Sequence, residues 1–220
     1  MARKIREARR VRVSATLESA RDIRAGALAL RRLCPVMRRV HDTIGDPLLR
    51  RHPAGFEGLA RIVVGQQLSI ASAAAIWART VRAVDPFDAE TLLAQDDATL
   101  RAAGLSQGKM RTLRAAASAI QSGALVLDQD MADTELFDAL VGVSGIGPWT
   151  ADIYLLFCLG RPDGFASGDL ALQIAAQRAF AFETRPSSRE LLALAERWRP
   201  WRGVAAHLLW AFYAHQRVSR

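Results

Sequence analysis

The sequence predicts an all-α protein. Forty alanines, few β-branched runs and apolar residues at helical spacing from end to end carry that expectation. At 220 residues the chain suffices for one large domain or two small ones, with a core that needs no disulfide or metal staple.

Along the chain, residues 1–14 are basic and weakly patterned and are expected to form a mobile arm. Helices are then expected over 17–33, 35–44, 56–68, 70–84, 98–103 and 107–122. A second run covers 134–141, 148–159, 170–180, 188–197 and 203–216. Ser69 and Ser106 stand where they can N-cap the helices behind them, and Pro148 suits a first helical turn. Gly45, Gly104, Gly123 and Gly160 fall where helices should stop. No fixed-period repeat or low-complexity linker interrupts the series. The stretch 60–130 is expected to form a middle helical subdomain, while 15–59 and 131–220 join into a second.

Composition removes several function classes. Half the residues are hydrophobic and 24% are charged, which excludes wholesale disorder. No apolar run approaches the roughly 18 residues of a membrane span, and the N-terminus opens on a basic string rather than a signal-peptide apolar core. A soluble intracellular protein without a membrane partner is expected. Two cysteines, Cys34 and Cys158, lie 124 positions apart, which excludes a disulfide framework, a cysteine-rich zinc site and a four-cysteine iron–sulfur cluster. His41, His52, His207 and His215 show no metal-ligand spacing and are read as structural or surface residues.

The net charge of +8 is unevenly spread: residues 1–39 hold 12 Arg/Lys against 3 acids, whereas 40–220 hold 18 against 19. A basic arm on a near-neutral body points to a polyanionic partner, with a merely solvated tail as the alternative.

The segment that carries chemistry is 140–151, L-V-G-V-S-G-I-G-P-W-T-A. Two helical patterns meet there in a turn with three glycines. Gly145 and Gly147 lack side chains, so another backbone can approach, and the first free N–H groups of the next helix point the same way with its dipole behind them. Such a turn offers several donors to one phosphate without a basic side chain. A tight helix connection with no ligand is the other reading of a bare G-x-G.

The longer string, with Gly168-Asp169-Leu170 about twenty residues on, resembles the helix-hairpin-helix (HhH-GPD) DNA glycosylase superfamily. Three further stretches resemble its alkylation-repair branch, the AlkA-like DNA-3-methyladenine glycosylase II type: F-E-G-L at 56–59 leading into I-V-V-G-Q-Q-L-S at 62–69, residues 104–111, and R-W-R-P-W-R at 197–202 running to Trp210. The resemblance covers about 30–215 in the family's order and leaves no room for the N-terminal β-domain of the longest members. Ser144 replaces the usual proline before G-I-G, Ile153 stands where some members place an active-site tyrosine (Tyr154 is adjacent), and Gln67 stands where some carry an apolar wedge.

The resemblance implies two subdomains with a DNA-binding cleft between them. It implies a monomer that flips alkylated purines (3-methyladenine, 7-methylguanine) out of damaged double-stranded DNA and hydrolyses the N-glycosidic bond. By the same resemblance Asp169 is the catalytic carboxylate; an aspartate opening a helix is also an N-cap, and the two roles are compatible. Trp149, Trp210 and Tyr154 are expected around the base, the indole faces stacking on a cationic ring. Trp77, Trp198 and Trp201 are read as core. Gly145, Ile146, Gly147, Trp149, Thr150 and Ala151 are expected on DNA, with Gln66, Gln67 and Leu68 as the probe that props the duplex open. Trp149 takes the place of the lysine of lyase-competent relatives, and only Lys4 and Lys109 exist, so an uncut abasic strand is the expected product.

No cofactor is required by this reading. The backbone carbonyls of Val141, Val143 and Ile146 are expected to hold Na+ or K+, as relatives do. If the source is bacterial, the location is cytoplasmic and nucleoid-associated. The alternatives are a glycosylase for another lesion (hypoxanthine, ethenoadenine, uracil) and a non-catalytic DNA-structure binder; an aspartate at position 169 argues against the latter.

Overall fold

A computed structural model describes residues 16–218, so the arm expected over 1–14, with Lys4, lies outside the described residues. Among them every regular element is helical, and no helix is long and apolar enough to cross a membrane. The first helices begin on local polar signals. Ser19 caps α1 (Ala20–Leu33) in a reciprocal box with Asp22, and Pro35 opens α2 (Pro35–Ile44). Ser69 accepts from the Ser72 N–H at the head of α4 (Ile70–Ala83), which succeeds α3 (Phe56–Gly65).

One helix escapes the sequence pattern: α5 (Ala89–Ala94) is too short for periodicity to register, although Asp88 caps it through Thr91 N–H at 2.7 Å. Next come α6 (Asp97–Ala102), α7 (Gln107–Gln121) and α8 (Asp133–Val141). The helix expected over 148–159 changes winding part-way. It is α-helical as α9 (Pro148–Ile153) and π-helical over Tyr154–Cys158, where the Leu159 N–H reaches the Tyr154 carbonyl at 3.2 Å. The wider turn buries five successive side chains, more than one face of an α-helix could. The chain closes with α10 (Leu170–Phe180), α11 (Ser188–Ala195), a 3-10 turn (Glu196–Trp198) and α12 (Arg202–Val218).

Burial sorts the apolar side chains into two clusters. The larger gathers α1, α2 and α8–α12 around Leu30, Met37, Tyr154, Leu172 and Trp198. The smaller gathers Val63, Val64, Val84, Leu92, Leu100, Met110 and Leu113. Trp198 and Trp201 are core residues, 0% and 4% exposed. The division expected between 59 and 60 falls inside α3: Leu59 and Ile62 belong to the larger cluster, and Ala60, Val63 and Val64 to the smaller. Helix α7 divides likewise, Ala116 going to one and Leu113 and Ala117 to the other.

Two connections are pinned to the helices beside them. Residues 45–55 are pressed against α3 at Gly58, where a Cβ would fall 1.9 Å from the Pro53 carbonyl oxygen. Residues 160–168 are tied to the start of α12 by Asp163, which pairs with Arg199 and, at 2.9 Å, with Arg202, while Glu196 pairs with both arginines at 2.8 Å.

Asp152 on α9 is out of keeping with its surroundings. No hydrogen bond or ion pair reaches its carboxylate among the described residues, and burial pushes its pKa up to about 7 against the opposing charge of Arg202. A folded pKa above the unfolded value of 3.8 means stability present at low pH and lost as pH rises through about 7. Asp152→Asn is therefore expected to stabilise the protein by about 1–2 kcal/mol at pH 8 and to change little at pH 4, since a buried amide keeps part of the desolvation cost. Denaturant unfolding at the two pH values checks this; equal effects at both would contradict it.

Candidate active site

Asp169 is the meeting point of three helices. It caps α10 in extended backbone, its Oδ1 accepting the Leu172 N–H at 3.0 Å. The indole N–H of Trp210 on α12 donates to the same oxygen at 3.0 Å, and that of Trp149 on α9 donates to Oδ2 at 2.9 Å. The preceding loop is fixed as well: Asp169 N–H reaches the Ala166 carbonyl at 2.9 Å, and Gln173 Nε2 the Ser167 carbonyl at 3.1 Å. Three donors on a group with about four lone-pair sites leave one site on Oδ2 uncommitted among the described residues.

Asp169, Trp149 and Trp210 line one cavity of about 550 Å³, which also takes Leu68 and Ile70 from the α3–α4 side and Arg50, Arg51 and Arg61. The base-binding expectation for Trp210 changes here: its ring is 7% exposed, and the Arg50 guanidinium lies over it with Cζ 5.5 Å from the centroid. That face is not free for a cationic base to stack on. Tyr154 is a clearer correction. It is fully buried outside the cavity, its hydroxyl accepts the Gly55 N–H at 2.9 Å, and burial pushes its pKa up to about 12. The π turn carries it inward, and Ile153 lines the cavity instead. Trp77 also lines the cavity, packed on Phe87 with ring centroids 4.9 Å apart, so it is not solely a core residue.

A second cavity, about 440 Å³, lies where the 142–147 turn meets α7 and the end of α3; Gln66, Gln67, Lys109, Thr112, Ser144 and Gly145 are among its walls. Lys109 does not approach Asp169: its Nζ donates to the Val64 carbonyl at 2.6 Å. The turn's two flanking glycines differ. Gly145 has φ +87°, and a Cβ there would fall 2.1 Å from Thr112 Oγ1, so its missing side chain admits α7 of this same chain. Nothing lies within 4 Å of a Cβ at Gly147, which is open to a partner.

Residues 60–200 match the HhH-GPD superfamily of base excision DNA repair proteins. The chain belongs to that superfamily. It is 30% identical over 176 residues to YfjP of Bacillus subtilis, covering 76% of this chain and 61% of that protein's length. Among solved structures it resembles Schizosaccharomyces pombe 3-methyladenine DNA glycosylase in complex with abasic DNA (TM-score 0.78, 26% identity, 84% and 94% of the two chains). It also resembles the DNA-3-methyladenine glycosidase of Bacillus halodurans (TM-score 0.73, 28% identity, 92% and 93%).

Within the HhH-GPD hairpin, the outward-facing groups are fewer than expected. Ile146, Thr150 and Ala151 are at most 4% exposed, and the N–H groups of Thr150 and Ala151 both turn back to the Gly147 carbonyl. Their side chains support the turn rather than face a partner. The N–H groups of Gly147 and Trp149 have no acceptor among the described residues. Gln66 is likewise anchored, its Nε2 donating to Thr150 Oγ1 at 2.9 Å, whereas Gln67 stands exposed at φ +57° beside the exposed Leu68. Of the carbonyls expected to hold a cation, that of Val143 accepts the Ile146 N–H at 3.0 Å. No group of three or more His, Cys, Asp or Glu capable of holding a metal occurs among the described residues.

The R-R-H run at 50–52 lies in a connection without periodicity, where no sequence signal marks it. His207 holds that run in place. Burial pushes its pKa down to about 4, so it is neutral at pH 7; Nδ1–H then donates to the Gly203 carbonyl at 2.8 Å, and Nε2 accepts the Arg50 backbone N–H at 3.3 Å. The turn geometry makes a simple prediction. Gly145→Ala is expected to destabilise the fold by roughly 1–3 kcal/mol through strain and the Thr112 clash, and Gly147→Ala by no more than about 0.5 kcal/mol. Denaturant titrations of the two variants check the contrast.

Proposed function

We propose that this chain is a monofunctional DNA glycosylase, hydrolysing the N-glycosidic bond of alkylated purines flipped from double-stranded DNA and leaving an abasic site. The observation that carries the reading is the Asp169 carboxylate, oriented by three N–H donors and lining a cavity of about 550 Å³, with room for a purine. An oxocarbenium-like sugar needs a fixed anion beside it, and the uncommitted Oδ2 site can orient the attacking water. The names of the relatives support alkylated purines as the substrate class, and the abasic-DNA complex of the fission-yeast enzyme supports DNA as the partner. Deoxyribose C1′ gains a bond to the water oxygen while its bond to the base nitrogen breaks, the electron pair leaving with the base.

Phosphate capture falls to the Gly147 and Trp149 N–H groups, aided by the positive end of α9. A monovalent cation on the carbonyls of Val141, Val143 and Ile146 would stiffen the same turn; neutral carbonyls suit such an ion, and no chemical step passes through it. The strand stays uncut because Trp149 occupies the lyase-lysine position and Lys109 lies at the other cavity.

Asp169→Asn is expected to bind lesion duplex and to lose at least about 100-fold in single-turnover excision. Normal turnover by that variant would overturn the assignment. Borohydride added during turnover should trap no covalent complex, since no amine attacks C1′. Gly147→Asp, which the open space at that position accommodates, should abolish capture of both damaged and plain duplex with the circular dichroism unchanged. Intact binding by this folded variant would remove the hairpin from DNA recognition.

A further inference from the structure

We infer that Arg50 is a specificity-determining residue, favouring release of uncharged alkylated purines over cationic ones; the inference rests on the glycosylase reading above. Its guanidinium lies over Trp210, whose indole N–H is bonded to Asp169, and all three residues line the same cavity. Unlike Arg161 and Arg202, which are paired with Asp133 and Asp163, the Arg50 guanidinium makes no hydrogen bond or ion pair among the described residues. Its donors are therefore uncommitted. Its backbone is not free to move them away, because the neutral His207 side chain accepts the Arg50 N–H from within α12. Burial lowers the guanidinium's pKa and the Asp169 charge opposes that shift, which places the two ions in electrostatic reach of each other. Arg51 and Arg61 also line the cavity, but the Arg51 guanidinium packs at Gly160, so Arg50 is the positive charge that acts on Asp169.

That sign matters for the leaving group. When water attacks C1′, the C1′–N bond breaks and both electrons go to the base. A cationic 7-methylguanine departs neutral, and the proton lost by the water passes to solvent. An uncharged ethenoadenine departs as an anion and is neutralised by that proton. A cation seated over Trp210 with free N–H donors stabilises the second departing base as its charge develops, whereas it repels the first while it is still bound. Arg50 thus acts in opposite directions on the two kinds of lesion. It offsets the intrinsic advantage of the cationic base, whose charge already weakens the bond.

The test compares single-turnover excision from duplexes carrying one 7-methylguanine or one 1,N6-ethenoadenine, by the 220-residue chain and its Arg50→Met variant. The backbone bond to His207 does not involve the substituted side chain, so the loop keeps its anchor. The ratio of ethenoadenine to 7-methylguanine rates is expected to fall at least about tenfold, within what one oriented donor contributes to a developing anion. Arg50→Lys, which keeps the charge, is expected to hold the ratio within about threefold of wild type. An unmoved ratio in Arg50→Met overturns the inference, whether both rates persist or fall together as they would for a phosphate contact or a structural role. A wild-type protein that releases neither base overturns the glycosylase reading itself, and this inference with it; activity on both bases that depends on Asp169 isolates any failure to Arg50.

Discussion

Three N–H groups from three helices converge on one carboxylate, and much of the architecture serves to bring them there. Leu172 supplies a backbone donor from α10, while Trp149 and Trp210 supply indoles from α9 and α12. Each bond restricts a different freedom: the first fixes the depth of Asp169 at its helix end, and the two indoles fix the tilt of the carboxylate plane. Charge-assisted bonds of this kind are roughly twice as strong as neutral ones, and their geometry depends on how the helices pack. The packing is correspondingly dense around α12, where Val204, Ala205, Ala206, Leu208 and Leu209 are all fully buried. At Gly26 on α1, a Cβ would come within 2.6 Å of Val204 Cγ2. Displacing α12 along its axis would move the Trp210 N–H off Asp169 and the His207 imidazole off the Arg50 backbone together.

The fold was legible in the sequence because its signals are local. Caps at Ser69 and Ser106, the proline at 148 and helix-ending glycines such as Gly104 (φ +102°) act within a few residues of where they stand. Asp169 was legible as a helix cap for the same reason, while the chemical role proposed for it came from the family resemblance. What escaped was decided at a distance. Nothing near Tyr154 in sequence announces a π turn that rotates it into the core against Gly55, ninety-nine residues earlier. Nor does the hairpin string distinguish Gly145, whose missing Cβ makes room for Thr112 of α7, from Gly147, which is open. Arg50 owes its position to a histidine 157 residues later.

Arg50 and the Asp169 carboxylate form an electrostatic pair that the overall charge count conceals. Residues 40–220 are almost neutral in sum, yet the polar side chains that line the Asp169 cavity are dominated by cations. Neutrality of the body comes from acids placed elsewhere, at caps such as Asp88 and Asp96 and in surface networks such as Asp163 with Arg199 and Arg202. Local sign, rather than net charge, is what a bound base would meet.

Helices α3 and α7 each place side chains in both apolar clusters, and this has a thermodynamic consequence. Melting the smaller cluster strips Val63, Val64 and Leu113 from the same helices that hold Leu59, Ile62 and Ala116 in the larger one. Neither body can open alone without exposing part of the other, so the two halves are expected to unfold as one cooperative unit with a common midpoint. The walls of the Asp169 cavity, drawn from both sides of that division, are thereby kept in register by the same event that folds the chain.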